Sequence, residues 1–500
     1  MNIGTNKNVV EKWDIFEITL HSSVVFKNPF TDVFVSAFFE TDTYTKEVKG
    51  FYDGDNTWKI RFMPESAGIY TYFIRSNNKE FDGIRGEFKC IEPSLDNHGP
   101  VRVSNKYHFS YADGTPFFVM GTTAYAWTYR PEDICKKTLE SIARNGFNKV
   151  RMLVFPKYLA GFDEIDLTYE PPVLPYEGQK NNFDYKRFNV EYFKNYEKRI
   201  EDLLKLGIEA EVILFHNYDF GKWGIDDGLS DDDAIFYLDY LISRISSYRN
   251  VWWSLANEYD IYKEPDGSGV RIKPDRRDWD RLGNFIMNND PYNHLRSIHN
   301  FGVIYPNREW LTHVSYQFPN TYSLLIDLKW KYQKPVIADE YIYEGNLPYH
   351  WGNYSGRQEL FHHWLTVMAG GYGTHGECYV INGNKKDIFW TYGGEMVGES
   401  APRLKFMKEI IETLPFQQME PDHTKGDGIN KFCICKGETI QLYLITEKCK
   451  RRKIWCEKQS EVTIYDLWNC RIIEKFVTSD DGNIKLDFCN DMLAVKIIKN

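Results

Sequence analysis

Val251-Trp252-Trp253-Ser254-Leu255-Ala256-Asn257-Glu258 is a run of apolar or small residues closed by an amide and a carboxylate. Pro335-Val336-Ile337-Ala338-Asp339-Glu340 has the same form, its last residue standing 82 positions further on. Both are too short and too evenly apolar for an amphipathic helix, and they read as strands buried on both faces, as in a parallel sheet covered by helices. Six further runs share the character: FFVMGTT, NKVRMLVF, EAEVILFH, LRSIHN, HVSYQF and GYGTHGE. Amphipathic stretches of helical length lie between them, among them PEDICKKTLESIARNG, VEYFKNYEKRIEDLLKLG and QELFHHWLTVMAG. Two stretches end in Asn145-Gly146-Phe147 and Leu206-Gly207-Ile208, where glycine supplies a left-handed helix stop and the next strand follows at once. Eight strand-helix alternations between about residues 96 and 414 predict an α/β fold, a (β/α)8 TIM barrel. The stretch from Phe155 to about Asn189, rich in Pro, Tyr and Gly, reads as an insertion.

On either side the rhythm is that of strands and turns. Residues 1–95 contain WDIFEITL, VFVSAFFET, TWKIRFMP, GIYTYFIRS and GEFKCIEP, separated by turn residues such as Asp53-Gly54-Asp55-Asn56, the pattern of an immunoglobulin-like β-sandwich. PSLDNHGP, Pro93 to Pro100, reads as a linker. Residues 415–500 repeat the β pattern with KFCICKG, TIQLYLIT, SEVTIYDLW and LAVKIIKN, and predict a second β-sandwich. The flanking segments are compatible with sugar binding, bracing of the barrel or self-association into a homo-oligomer.

The 500 residues include 71 acidic and 61 basic side chains, a net charge of -10 that repels phosphate backbones and anionic membranes. Nucleic acid and membrane are therefore not expected partners. No stretch reaches the roughly eighteen apolar residues of a spanning helix. Lys7, Glu11, Lys12 and Asp14 interrupt any secretory apolar core near the N-terminus, so a cytoplasmic location is expected. Nine cysteines, an odd number without CxxC spacing, fit reduced thiols; Cys433 and Cys435 share one strand face and read as core rather than as ligands. Aromatic residues reach 16%; much of that is packing, and flat aromatic faces also suit the C–H face of a sugar.

In a barrel of this kind the site lies where the strands end. The fourth and seventh runs both end in glutamate and lie across the barrel mouth, where a sugar ring could stand between the carboxyls. Two carboxyls about 5 to 5.5 Å apart support a covalent glycosyl-enzyme, and about 6.5 to 9.5 Å leaves room for an inverting water. Glu258, after an apolar strand and beside the neutral Asn257, suits the protonated donor; Glu340 must be ionised to attack, and Arg151 and Tyr316 are the candidate groups to keep it so. Asn257 is expected to hold a sugar hydroxyl.

These residues resemble the clan A glycoside hydrolases, retaining (β/α)8 enzymes, and their multidomain members with an N-terminal immunoglobulin-like domain and a C-terminal β domain. GFYDGDNTWKIRFMPESAGIYTY, VWWSLANEYD, KPVIADEYIYEG and GESAPRLKFM carry the likeness over most of the chain. The resemblance implies Glu258 as acid/base, Glu340 as nucleophile, and supporting roles for Arg151 and Tyr316. It also leads one to expect tryptophan at the end of the eighth strand. This chain has His375-Gly376-Glu377 there, and Trp390 in the next loop is the substitute.

Each assignment has a plainer rival. Asp339 is expected on the opposite face from Glu340 by strand alternation. Glu377 competes with Glu340, and otherwise reads as a ligand to sugar hydroxyls or to Arg151. His216 and Asn217, and His299 and Asn300, end the third and fifth runs and read as sugar contacts or as satisfied core groups. Tyr125, Trp127 and Trp223 are loop packing or stacking platforms. Asp231-Asp232-Asp233 after Ser230 is the first turn of a capped helix more simply than a cation site. With no His-x-His after the first strand, no HExxH, no GxSxG and no glycine-rich phosphate loop, neither a metal nor a cofactor is expected. The expected activity is a retaining glycosidase acting on plant-type oligosaccharides or glycosides; the alternative is a catalytically inactive carbohydrate-binding barrel.

Overall fold

The computed structural model describes residues 2–157, 170–216, 222–226, 228–263, 269–380, 388–479, 482–489 and 492–499. Every one of the eight apolar runs contributes a strand to one sheet: β1 (Met120–Thr123), β2 (Lys149–Leu153), β3 (Glu209–Phe215), β4 (Val251–Ala256), β5 (Arg296–Ser297), β6 (Val314–Gln317), β7 (Val336–Glu340) and β8 (Tyr372–His375). All neighbours are parallel, and the spatial order is β5-β4-β3-β2-β1-β8-β7-β6. The sheet curls until β5 and β6 face each other. Their seam is closed around Thr312, whose backbone N–H donates to Arg296 O at 2.9 Å and whose hydroxyl accepts from Arg296 N at 2.7 Å. This is the TIM barrel read from the alternation.

Helices α1 (Glu132–Arg144), α2 (Val190–Lys205), α3 (Asp231–Ile245), α4 (Trp279–Asn289), α5 (Ser323–Tyr332), α6 (Gly356–Met368) and α7 (Ser400–Glu412) cover the sheet. Gly146 and Gly207, past the ends of α1 and α2, have φ of 73° and 67°, the left-handed stop their spacing called for. Ser230 caps α3 by accepting from Asp233 N, so the acidic triplet occupies a helix first turn. The regular alternation fails once: residues 298–313, between β5 and β6, contain no helix.

Much of the barrel interior is charged rather than aliphatic. Lys149 and Arg151 from β2, Glu211 from β3 and Asp339 from β7 are all fully buried. Lys149 Nζ binds Glu211 and lies 2.8 Å from Asp339 Oδ1, while Ser315 Oγ and Thr374 Oγ1 donate to Asp339 at 2.6 and 2.7 Å. Burial opposes ionisation of Asp339, yet Lys149 and Arg151 hold it well below the usual carboxylate range. Its inward direction departs from simple alternation. The β6–β7 register jumps so that Tyr316 faces Ala338 and Gln317 faces Glu340; Asp339 is the extra residue of a bulge, and both acids reach the barrel axis.

Below the strands, a three-stranded sheet (Val101–Ser104, His108–Tyr111, Pro116–Phe117) closes the barrel, with Phe109 centred 5.2 Å from Trp252 and 5.4 Å from Tyr372. The N-terminal strands form a four-stranded and a five-stranded sheet around a core that includes Phe16, Phe39, Phe62 and Phe88. The linker expected between this part and the barrel is fastened down: Asn97 Nδ2 donates to Lys12 O at 2.9 Å, and Gly99, with φ of 76°, lies against the Trp13 ring where a Cβ would collide. A buried ion network binds the N-terminal sheets to the barrel, with Arg61 2.7 Å from both Glu17 and Glu197, and Arg244 2.7 Å from Glu197 and 2.8 Å from Asp53. The C-terminal strands form a six-stranded sheet beside a two-stranded one. Among the described residues, no helix is long and apolar enough to cross a membrane.

Candidate active site

The ends of β4 and β7, with the loops after β1, β2 and β6, enclose a cavity of about 470 Å³. Glu258 and Glu340 both line it, as do Tyr125, Lys157, Gln317, Tyr343, Trp351 and Trp390. The volume falls in the range of small-molecule sites.

Glu340 is nearly buried, and its Oε1 gathers three donors: the Tyr125 hydroxyl, Arg151 Nη1 at 2.8 Å and Asn257 Nδ2 at 3.3 Å. Asn257 also donates to the Tyr125 oxygen at 3.1 Å and accepts from Arg151 Nη2, so the four side chains are mutually wired. Burial raises the Glu340 pKa, but His299, Arg151 and the Tyr125 hydroxyl outweigh it and bring it to about 2. His299 itself is driven down to about 4, chiefly by burial and by Arg151, so near neutrality it is uncharged and Arg151 is the cation that acts on Glu340. Glu340 is therefore ionised throughout the ordinary pH range.

Glu258 stands differently. It adopts φ of 47°, in the left-handed region, a conformation that costs about 1–3 kcal/mol in a residue with a side chain. The turn is held by Ile261 N donating to Glu258 O at 3.0 Å and Tyr259 N to His299 O at 2.9 Å. Gln317 Nε2 donates to Glu258 Oε1 at 2.9 Å. Ile261, Phe301 and Phe318 supply apolar cavity wall on this side.

Lys157 completes the Glu340 side. Its ammonium lies 3.7 Å from the Tyr125 ring centre and 3.9 Å from that of Trp390, and burial pushes its pKa down to about 7 against the pull of Glu340 and Glu258. Trp390 packs at 5.2 Å from Trp351 and 5.5 Å from Tyr343, so an aromatic wall backs the ammonium.

Several residues singled out in the sequence lie elsewhere. Tyr316 makes no hydrogen bond to Glu340; its hydroxyl has no hydrogen-bond partner among the described residues. Ser315 and Gln317 use the inner face of β6, which leaves Tyr316 on the outer one, and Tyr125 after β1 stands where Tyr316 was expected. Glu377 is buried outside the cavity, with Val397 N and Gly398 N donating to its two oxygens at 2.7 and 2.9 Å. It binds backbone, not Arg151. His216 is buried behind the wall, a ring nitrogen 3.3 Å from Phe155 O. His299 is buried with neither ring nitrogen hydrogen-bonded among the described residues. Asn217 lies outside the described residues. Lys157 and Gln317 are the site groups that the sequence did not single out, and Tyr125, read there as loop packing or a stacking platform, instead donates its hydroxyl to Glu340. No group of three or more His, Cys, Asp or Glu that could hold a metal ion occurs among the described residues.

Comparison with known proteins agrees with this architecture. Residues 103–418 match the family model described as apiosidase-like, catalytic domain, and residues 9–77 match a domain of unknown function, DUF5060. A Bacteroides vulgatus ATCC 8482 protein provisionally assigned as a glycoside hydrolase superposes with a TM-score of 0.86 at 35% identity, over 99% of this chain and 100% of its own. A family 5 glycoside hydrolase from the same organism, at 17% identity and a TM-score of 0.58 over 80% of this chain and 93% of its own, shares the fold. No curated protein matches the chain. The chain belongs to the apiosidase-like family and is a glycosidase built on a (β/α)8 barrel.

Proposed function

We propose that the protein is a retaining glycosidase in which Glu340 is the nucleophile and Glu258 the acid/base, acting on plant-type oligosaccharides or glycosides. One observation carries the reading: both carboxyls face a single cavity, and Glu340 is held ionised there by Arg151 and Tyr125. The three donors converge on Oε1, so Oε2 attacks the anomeric carbon while Glu258 gives its proton to the departing oxygen. The Asn257 amide, which donates to Glu340 and Tyr125 in the free protein, turns to the sugar hydroxyl next to the reacting carbon. Water, deprotonated by Glu258, then releases the sugar with its original configuration. The family description makes apiosides the first substrates to assay. A cytoplasmic setting, after uptake of the substrate, is supported by the free thiols, among the described residues, of Cys90, Cys135, Cys378, Cys433, Cys435 and Cys470.

The test is the anomeric configuration of the first product, followed by NMR during turnover of a chromogenic glycoside, with mass spectrometry of enzyme treated with a 2-deoxy-2-fluoro glycoside. Retained product and a label on Glu340 are expected. Inverted product overturns the mechanism.

A further inference from the structure

Past Glu258 the chain forms an antiparallel hairpin, Ile261–Lys263 with Val270–Ile272, in which Ile261 stands opposite Ile272. Alternation puts Ile261, Val270 and Ile272 on one face, and Tyr262 and Arg271 on the other, where the Arg271 guanidinium lies 4.9 Å from the Tyr262 ring centre. The apolar face adjoins the cavity: Ile261 lines it, and Ile272 closes on Gly302 so tightly that a Cβ there would collide.

The next loop is locked to the same hairpin. Asp260, buried, accepts from the backbone N–H groups of Phe301, Gly302 and Val303 at 2.5, 2.8 and 2.6 Å, and the Tyr259 hydroxyl donates to Val303 O at 2.9 Å. The result is a rigid shelf that begins at Glu258 and continues outward. Phe301, which lines the cavity, is 37% exposed, and Val270 and Ile272, on the hairpin face shared with the cavity-lining Ile261, are 51% and 49% exposed, so large apolar side chains stand together here rather than scattered singly. Phe318 and Pro319 extend the same character inward, and Gln317 with Glu258 supplies the polar side-chain atoms on this side. The opposite wall, around Glu340, is built of Tyr125, Lys157, Tyr343 and Trp390. The two halves therefore solicit different chemistry.

The proton donor of a glycosidase stands beside the oxygen that departs, so whatever the sugar is attached to lies on the Glu258 side. Resting on the roles proposed above, we propose that this shelf is the leaving-group subsite for an apolar aglycone, and that the preferred substrates are glycosides of phenols or aliphatic alcohols rather than oligosaccharides extended beyond the scissile bond. A second sugar on the shelf would bury hydroxyls against the aliphatic Ile261 and Ile272 without partners, whereas a hydrocarbon surface gains by leaving water. The reaction is balanced hydrolysis: the anomeric C–O bond breaks as Glu258 protonates its oxygen, the alcohol leaves over the shelf, and water supplies the hydroxyl to the sugar and the proton back to Glu258.

A panel of 4-nitrophenyl glycosides first identifies the accepted sugar, and the methyl, butyl and hexyl glycosides of that sugar then vary apolar surface at nearly constant leaving-group acidity. Full burial is worth about fourfold in kcat/KM per methylene, so a rise of at least about tenfold from methyl to hexyl is expected. The exposed substitution Ile272→Asp should flatten the series. Turnover with a flat wild-type series, or a preference for a sugar in the leaving position, overturns the subsite while leaving the glycosidase roles intact. A dimer that Ile272→Asp dissociates in sedimentation, together with a flat series, overturns it in favour of a second copy. No turnover of any glycoside removes the roles of Glu258 and Glu340, and the subsite with them.

Discussion

Arg151 Nη1 lies 2.8 Å from Glu340 Oε1, and both side chains are withdrawn from water. A cation in that position governs the protonation of its partner, because burial alone drives a carboxyl toward its neutral form. Glu340, at about 2, sits below its ordinary value, so the ion pair contributes stability that is present above the unfolded carboxylate pKa and is lost as pH falls toward 2. Arg151→Met should move the acidic limb of kcat/KM upward toward neutrality, lower activity by about 100-fold or more at pH 5, and cost about 3–5 kcal/mol of stability. A pH–rate profile with an unmoved acidic limb would show that Arg151 does not set the charge of Glu340.

Glu340→Ala removes the attacking oxygen and leaves a cavity where a small anion fits. Turnover should fall by several orders of magnitude, and azide should restore part of it as a glycosyl azide of inverted configuration, measured by NMR. Rescue with retained configuration would place the nucleophile elsewhere.

For Glu258 the informative variable is the leaving group. Glu258→Gln keeps the shape and the Gln317 neighbourhood but cannot donate a proton, so kcat/KM should fall about 10²- to 10⁴-fold on alkyl glycosides and much less on 4-nitrophenyl ones, whose phenolate needs little help. Equal losses on both would count against its role as donor.

The strands were legible because each apolar run is too short for a helix and ends in polar residues; the ends of β4 and β7 then brought Glu258 and Glu340 to one cavity. What escaped depends on tertiary detail. The bulge that turns Asp339 inward has no local signal, since Asp339 and Glu340 look like any alternating pair until β6 fixes the register. The missing helix between β5 and β6, and the closure of the barrel floor by residues 101–117, follow from lengths that sequence alternation only brackets. Lys157 lies just past β2, where a lysine ordinarily signals solvent; its position between Tyr125 and Trp390 is set by residues 32 before and 233 after it. Glu377 ends an apolar run as the catalytic candidates do, but beyond β8 it enters a two-residue bridge with Glu344 and Gly345, which turns it to the backbone of the next loop.

Lys157 makes a separate prediction about stability. Its pKa near 7 lies below the ordinary lysine value, so between about pH 7 and 10 the unfolded chain binds a proton that the folded chain does not, and folding is favoured as pH rises. The stability difference between wild type and Lys157→Met should change in favour of wild type by up to about 1.4 kcal/mol per pH unit across that window. Denaturant unfolding at pH 7 and pH 9.5 measures it, and parallel curves would mean that the ammonium is not desolvated.

Glu377, Glu344 and Glu359 are all buried and close in one region, yet each has donors: Glu399 N and Ser400 N reach Glu344 at 2.7 and 2.8 Å, and Gly376 N and Glu344 N reach Glu359, both at 3.0 Å. Burial raises Glu377 to about 7, so its folded form holds a proton the unfolded chain has released, and its contribution fades as pH climbs from about 4.5 through 7. Glu377→Gln offers one acceptor where two backbone donors converge. The loss of one buried hydrogen bond should cost about 1–3 kcal/mol, seen as a lower Tm, and the variant should lose part of the wild-type decline in stability between pH 5 and 7. If Glu377 instead binds sugar, the substitution will raise KM while leaving Tm and its pH dependence in place, since a ligand contact absent from the free protein cannot stabilise it.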